Sequence, residues 1–353
     1  MRNFIALLIM SFLLISCENW LGEQGMPIAR GESGEIILVL DSARWSGDIG
    51  KELRLTFREL VAGLPREEPL FDLRQVVPTD FKGLLKQAKN LVLFIPLNDK
   101  NNEGLKMKNL FTQKSLDSLQ QNPDIFLINK SNLFASGQQV LFLIHHDDPS
   151  FMERIVKERE QIRYFFNNVE DKRTFERLFK AREEKMISNK LQSDYGYSIR
   201  IPYGFRVASS DDGFAWLRLA GQEIDKNIFI SFKDYTDANA FRDEDIIHWR
   251  DEICHSHLYG NPENPESYLL TEMLDPPIFS EVNFNGKYAK KMLGRWKTNT
   301  VSMGGPFVSY TLVDETTNRI YYIEGFIYSP GVEQRKLMRE MNVILKTFQA
   351  SPD

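Results

Sequence analysis

The first half of the chain alternates short apolar runs with amphipathic segments. Residues 36–40, residues 91–95 and the run that ends at Ile144 are aliphatic or aromatic, which predicts strands buried on both faces of a parallel sheet. Between the first two runs, apolar side chains recur at helical spacing over 49–64. Residues 34–147 are therefore predicted to form an α/β layer domain.

The second half follows a different pattern. Residues 148–190 carry one apolar stripe among charged positions, which predicts a single long helix that bridges the two halves. From residue 194 onward, apolar and polar positions alternate, and Asn285-Gly286 predicts a tight hairpin. Residues 194–350 are thus expected to form an antiparallel sheet flanked by helices. The predicted fold class is α/β in the N-terminal layer and α+β in the C-terminal domain.

The N-terminus has the three parts of an export signal. Arg2 precedes an apolar run over 4–15, and the sequence Leu-Ile-Ser-Cys at 14–17 forms a lipobox. The small Ser16 lets a signal peptidase reach the backbone, and the thiol of Cys17 accepts diacylglycerol. We therefore expect cleavage between Ser16 and Cys17 and acylation of Cys17 with diacylglycerol and palmitate.

Residues 1–16 are accordingly interpreted as a signal peptide, and the glycine-rich residues 17–33 as a flexible tether. The lipid would hold the protein on a membrane, which predicts a periplasm-facing lipoprotein in the cell envelope of a Gram-negative bacterium. No second apolar run is long enough for a transmembrane helix. Apart from the covalent lipid on Cys17, no cofactor is expected.

Composition narrows the class of protein. Hydrophobic residues make up 42% of the chain and aromatic residues 12%, as in globular proteins. A net charge of −5 argues against nucleic acid as a partner, since phosphate binding needs a basic stripe. With Cys17 acylated, Cys254 is the one cysteine left, and we expect it to be a buried apolar residue.

A metal site is one hypothesis for a predicted helix in the second half. His248, Glu252 and His255 lie on one face of this helix, and Cys254 and His257 are adjacent. Imidazole, carboxylate and thiolate groups are ligands for zinc or copper. The spacing is not that of a His-Glu-x-x-His site, and the alternative interpretation is a solvated polar face.

A second candidate is the sequence His145-His146-Asp147-Asp148 at the end of a predicted strand. Ligands of α/β sheets bind beyond the carboxyl ends of the strands, and a histidine beside aspartates can act as an acid–base pair. The alternative is that Asp148 only caps the following helix.

A third candidate is the segment 41–47 between the first strand and the first helix, where backbone amides can hold an anion. It lacks the glycine pattern of a phosphate loop, and a turn capped by Ser46 or Asp48 is the alternative. No Gly-x-Ser-x-Gly motif occurs, so no motif supports a serine hydrolase.

Two further features lie in the second half. Paired glycines before a proline predict either a bend that enters a strand or a loop that presents Met303 and Phe307 to a partner. A neighbouring basic cluster predicts either a solvated face or a surface for an acidic partner or anionic glycan. The loop is Met303, Gly304, Gly305, Pro306 and Phe307, and the cluster is Lys287, Lys290, Lys291, Arg295 and Lys297.

Several stretches resemble a family of envelope lipoproteins. They are the lipobox, Asn-Gly-Lys-Tyr-Ala at 285–289, Trp296, Met-Gly-Gly-Pro-Phe at 303–307, Glu-Gly-Phe-Ile-Tyr at 324–328, and Pro330. They look like domain-of-unknown-function family 4837, typical of the Bacteroidetes, over nearly all of the mature chain. The resemblance implies an envelope location and no assigned activity.

The order of predicted elements in 194–350 is similar to the Mog1/PsbP-like fold. The resemblance implies an antiparallel sheet with helices on its faces and accessory roles, although fold alone does not transfer function.

The leading hypothesis is a lipid-anchored, non-catalytic binding or accessory module with an envelope protein as its partner. One alternative is a hydrolase or metal-dependent enzyme that uses His145 and His146 or His248 and His255. Another is a carrier of a small apolar ligand.

Overall fold

The computed structural model describes residues 25–261, 264–300 and 303–351. The chain divides into two compact units. The first unit consists of the chain up to Glu59 together with Pro69–Val169. The second consists of Leu60–Glu68 and the chain from Glu170 onward.

The first unit is built on a five-stranded sheet in the order β2-β1-β3-β5-β4. β1, β2, β3 and β5 pair in parallel, and β4 is antiparallel to β5. The strands are β1 Glu35–Val39, β2 Asp72–Val76, β3 Asn90–Pro96, β4 Leu127–Ser131 and β5 Gln139–His145. The α-helices are α1 Ser42–Ser46, α2 Asp48–Phe57, α3 Asn102–Lys108, α4 Gln113–Gln121, α5 Asp148–Lys157 and α6 Arg159–Phe179, whose residues from Glu170 onward belong to the second unit; a 3₁₀ helix spans Gly83–Gln87.

Both faces of this sheet are buried, as the continuous apolar runs predicted. Alternate side chains of β1 enter different clusters: Leu38 packs with Phe57 and Phe166, and Val39 packs with Phe81 and Met107. The α/β layer is thereby confirmed.

Two segments of this half differ from the sequence prediction. The helix expected over 49–64 ends at Phe57, because residues 60–68 belong to the second unit, where Val61 and Leu64 join its core. Part of the predicted tether is paired with the α/β layer: Ala29 N–H donates to Ser136 O at 2.9 Å and Arg30 N–H to Gln87 O at 2.8 Å.

The single helix predicted over 148–190 is instead three helices, α5, α6 and α7 Lys185–Tyr195. The first interruption is Glu158, whose φ and ψ of −92° and 4° leave the α region. The second lies before α7, where Glu184 N–H donates to Ile201 O at 2.9 Å and Glu183 forms a β-bridge with Pro202. This pairing draws the backbone out of the helix.

The second unit is built on an antiparallel sheet of nine strands within the part of the chain that the structure describes. The order is β6-β7-β8-β14-β13-β12-β10-β9, and β11 also pairs with β12. The strands are β6 Arg206–Asp211, β7 Phe214–Leu219, β8 Asp225–Asp234, β9 Tyr259–Asn261, β10 Asn264–Thr271, β11 Ile278–Phe284, β12 Lys287–Thr298, β13 Gly304–Asp314 and β14 Arg319–Tyr328. The helices after α7 are α8 Asp243–His257 and α9 Arg335–Leu345, and a 3₁₀ helix spans Ala238–Phe241.

The predicted hairpin at Asn285-Gly286 joins β11 to β12. Asn285 and Gly286 have φ values of 52° and 88°, the left-handed conformation that a two-residue type I′ turn requires at both positions. The side chain of Asn283 accepts the Gly286 N–H at 2.7 Å.

Helices cover both faces of this sheet. Tyr321 and Ile323 of β14 pack in the cluster that contains Met341 of α9. Tyr322 packs in the opposite cluster with Trp249 of α8. The antiparallel sheet flanked by helices is therefore confirmed. None of the described helices is long and apolar enough to cross a membrane.

Candidate functional site

The candidate site lies where three parallel strands of the first unit end. β1 lies between β2 and β3, and the chain leaves β1 towards β2 and later returns as β3 on the other side. Such a reversal of strand order creates a crevice beyond the carboxyl ends of the strands, where ligands of α/β sheets bind. Asp41, Asp99 and His145 follow or end β1, β3 and β5.

Arg44 joins the ends of the first two strands. Its Nη1 donates to Asp41 Oδ2 at 2.9 Å and to Asp99 Oδ2 at 2.8 Å, and its Nη2 donates to Asp99 Oδ1 at 2.9 Å. The guanidinium also lies 5.2 Å from the centre of the Phe94 ring. Its hydrogen bond lowers the pKa of Asp99. Arg44 is therefore held with its charge balanced by two carboxylates.

His145 forms a second polar pair at the end of β5. Its Nε2 lies 2.7 Å from Asp148 Oδ1, and its ring packs against Phe94 and Phe151 with centroid separations of 4.9 and 5.6 Å. Burial lowers the pKa of His145 against the opposing effect of Asp148, so the imidazole is neutral at pH 7. The Nδ1 atom is buried without a hydrogen-bond partner within the described structure.

Asp41, Arg44, Asp99 and Asp148 border a cleft of about 900 Å³, and His145 lies behind Asp148 without lining it. Its side chains combine four carboxylates with two cationic groups, an amide and several apolar groups. The lining residues are Asp41, Ala43, Arg44, Gly47, Asp48, Ile49, Asp99, Lys100, Asn101, Asp148, Pro149 and Met152. The volume lies in the range of ~300–1,000 Å³ that small-molecule sites occupy.

The helix caps differ from the sequence interpretation. Asp41 caps the short α1 by accepting the Arg44 N–H at 2.9 Å, whereas α2 begins after Gly47 without a side-chain cap, so neither Ser46 nor Asp48 caps it. The Asp41 carboxylate occupies the Arg44 N–H, one of the backbone donors that an anion would need, which argues against an anion-binding loop at 41–47. Asp147, and not Asp148, caps α5, which leaves Asp148 to contact His145.

The structure does not gather the second histidine cluster around one point. His248 pairs with Glu252 at 3.1 Å on the surface, His255 packs edge-on against Tyr268, and His257 stacks on Phe214. Among the described residues, no group of three or more His, Cys, Asp or Glu side chains is arranged to hold a metal ion.

Cys254 is buried, as the sequence predicted. Burial raises the pKa of its thiol to about 12, so the thiolate that a metal would need is disfavoured.

The loop 303–307 enters a strand. Phe307 is only 1% exposed and packs beneath Arg250 at 4.2 Å, so it is not presented to a partner. At Gly305 a Cβ atom would lie 2.1 Å from Ile327 O. The glycine therefore permits the close approach of β13 to β14.

Most of the basic cluster is paired with acidic side chains of its own unit. Lys287 donates to Asp314 at 2.7 Å, and Lys290 pairs with Asp243. The remaining pairs are Arg295 with Asp275 and Lys297 with Glu272. Lys291 has no ion-pair partner among residues that the structure describes, and burial lowers its pKa to about 8.

The predicted cleavage and acylation sites, Ser16 and Cys17, lie outside the described residues. Sequence reasoning identified the strand ends after β1 and β5 but missed Asp99 and Asn101 after β3. A signal was present, because the polar stretch 98–103 directly follows a buried strand.

Family models match both halves of the chain. One described as Domain of unknown function (DUF4837) matches residues 184–347, and one described as Domain of unknown function (DUF8532) matches residues 29–179. The motif resemblance was expected to cover nearly all of the mature chain, whereas the DUF4837 match is confined to the second half. No curated protein sequence matches the chain.

Similar solved structures include a mutant of the protein Mog1, with a TM-score of 0.28 and 9% identity over 44% of this chain and 90% of that chain. The Ran-binding protein Mog1p of Saccharomyces cerevisiae gives a TM-score of 0.29 and 8% identity over 44% and 91% of the two chains. The human StarD13 (DLC2) lipid transfer and protein localization domain gives a TM-score of 0.21 and 10% identity over 45% of this chain and 95% of that chain. Scores this low carry no functional argument.

The first half of the chain is thus similar to the family described as DUF8532 and the second half to the family described as DUF4837, both domains of unknown function.

Proposed function

We propose that this protein is a lipid-anchored envelope lipoprotein that acts as a binding module, and that its cleft holds a small, uncharged, hydroxyl-rich molecule such as a sugar. The observation that carries the ligand class is the Arg44 network: the main cation of the cleft is already balanced by Asp41 and Asp99. An anionic ligand would have to approach four aspartates, and this opposes its binding.

The donor and acceptor groups match hydroxyl groups. Carboxylates accept hydrogen bonds, whereas Arg44, Lys100 and the amide of Asn101 donate them. A hydroxyl group can do both. Ile49 and Met152 supply apolar surface for the carbon skeleton, and a few polar groups among apolar ones are typical of a small-molecule site.

Binding is favoured over turnover because the reactive groups of the cleft are either lacking or already paired. The described lining residues include no serine, threonine, cysteine or tyrosine. Carboxylates can also act as nucleophiles, but three of the four in the cleft, Asp41, Asp99 and Asp148, are paired with Arg44 or His145. The proposed role is therefore to hold or position a ligand.

The test uses calorimetric titration of the purified protein with a panel of neutral monosaccharides and with inorganic phosphate. Asp48 is exposed in the cleft, so we expect Asp48→Asn to weaken sugar binding roughly tenfold through loss of a charged acceptor. Asp124→Asn, an exposed aspartate outside the cleft, is the matched control. Tighter binding of phosphate than of any sugar, or equal affinities for the two variants, would contradict the proposal.

The anchor is supported by the lipobox at 14–17. We expect the wild-type protein to incorporate radiolabelled palmitate and to sediment with envelope membranes, and Cys17→Ala to do neither. A Cys17→Ala protein that still carries the label would locate the lipid elsewhere.

Acid–base catalysis is a second candidate, favoured by the 2.7 Å contact between His145 and Asp148. This candidate requires that the wild-type protein turns over the bound sugar, and that the His145→Gln variant still binds the sugar but no longer turns it over. Binding without turnover in both proteins would exclude it.

An envelope protein partner is part of the proposal. We expect crosslinking of the full-length protein in its own envelope to capture a near-stoichiometric partner that is lost with Cys17→Ala. Capture that is unaffected by this substitution would separate partner binding from the anchor.

A further inference from the structure

The second unit contains an apolar pocket that is distinct from the cleft of the first unit. It has a volume of about 270 Å³. Phe205, Met341 and Ile344 form its floor and are at most 1% exposed. Leu178 and Leu219 complete the apolar wall.

Three cationic side chains line the pocket: Arg177 and Arg182 are exposed, and Lys226 is mostly buried. One carboxylate opposes them, because Glu340 accepts from Arg177 Nη2 at 2.7 Å and also pairs with Lys226. Three positive charges and one negative charge leave a formal charge of +2 among the lining residues.

Arg182 is the cation available to a ligand. Its guanidinium lies 5.4 Å from the centre of the Tyr203 ring, and no carboxylate lies within ion-pair distance of it in the described parts of the chain. Both side chains are exposed. A guanidinium on an aromatic ring at the mouth of an apolar pocket can bind a carboxylate in bidentate geometry.

From this arrangement we infer that the pocket binds an amphipathic monocarboxylate, a medium-chain fatty acid, with its hydrocarbon tail inside and its carboxylate at Arg182. At roughly 30 Å³ per water-sized group, the pocket holds a tail on the order of eight or nine carbon atoms. The charge of the mouth selects an anionic head, and the apolar floor excludes a wholly polar ligand. This ligand differs from that of the cleft in charge and polarity.

The experiment is calorimetric titration of the full-length protein in lipid nanodiscs with octanoate and with octanol. Partitioning into lipid is the same for every variant, so differences between variants report the pocket. We expect octanoate to bind more tightly than octanol. Arg182→Ala should weaken the binding of octanoate roughly ten- to hundredfold, the cost of a charge-assisted hydrogen bond. It should leave the affinity for octanol unchanged.

Two further variants complete the test. Ala181→Phe, at the exposed rim, should block both ligands without unfolding the protein, as judged by circular dichroism. Arg66→Ala removes an exposed charge of the same unit outside the pocket and should change neither affinity. Equal affinity for octanol and octanoate, no effect of Arg182→Ala, or absence of octanoate binding would each overturn the inference.

Discussion

The buried ion pair of the second unit gives the sharpest prediction about stability. Arg250 and Glu324 are fully buried, and they are joined by two hydrogen bonds of 2.8 and 2.9 Å. Tyr322 donates to the same carboxylate at 2.5 Å, and Thr271 accepts from the guanidinium at 3.1 Å. Every partner comes from the second unit.

Removal of Arg250 leaves the Glu324 carboxylate buried without a cation, and removal of Glu324 leaves Arg250 buried with Asp251, at 3.4 Å, as its remaining acidic partner. We expect Glu324→Gln and Arg250→Met each to lower the free energy of unfolding by about 3–5 kcal/mol, the cost of breaking a buried pair. The double variant removes both charges, and the amide that replaces the carboxylate can still accept from Tyr322, so its cost should stay below ~2 kcal/mol. The coupling energy between the two positions is then at least ~4 kcal/mol.

The assay is urea denaturation of the four proteins followed by tryptophan fluorescence. Three of the five tryptophans lie in the same cluster as Arg250's neighbour Tyr322, namely Trp216, Trp249 and Trp296, so the signal reports this unit. Single variants that each cost less than ~1 kcal/mol would refute the reasoning, as would a double variant that costs the sum of both.

Three further predictions concern single side chains. Burial and repulsion from Lys346 lower the pKa of Lys291 to about 8 from its usual 10.5, so the cost of burying its charge is full below pH 8 and vanishes as the pH rises towards 10.5. Lys291→Met should therefore stabilise the protein by ~1–3 kcal/mol at pH 7 and by less at pH 10. A difference in denaturation midpoint that stays constant over this pH range would contradict this. Glu68 accepts the backbone N–H groups of residues 334 and 335 at 2.7 Å each, so Glu68→Ala should cost ~1–2 kcal/mol, and an unchanged midpoint would argue against this cap. Burial lowers the pKa of His145 below its usual 6.5, so the native state loses stability as the pH falls below 6.5; His145→Phe should remove this loss between pH 7 and 5, and parallel pH profiles would count against it.

The sequence patterns identified both sheets because burial leaves a clear signature. The continuous run at 91–95 became a strand buried on both faces, and Asn285-Gly286 formed the predicted turn. Chain connectivity was less visible: Val61 and Leu64 continue the helical spacing of α2, yet they pack in the second unit, and spacing cannot show which core receives an apolar side chain.

The site was only partly predictable for a related reason. His145 and Asp41 stand at recognisable strand ends, so their proximity follows from the parallel sheet. The pairing of Arg44 with Asp99 joins residues 55 positions apart, and no local pattern identifies which of many aspartates meets a given arginine. The histidines of α8 are close in sequence but contact different side chains, so their spacing alone wrongly suggested a shared metal site.

The discontinuity of the second unit has a consequence for how the chain is made and divided. Leu60–Glu68 is synthesised before most of the first unit. Its apolar side chains therefore cannot pack in the core of the second unit until residues more than a hundred positions later have been synthesised. A fragment cut at residue 170 would lack both Val61 in its core and the carboxylate at the start of α9. Boundaries drawn from contiguous sequence would therefore yield an incomplete domain, and the native second unit depends on translation of the whole chain.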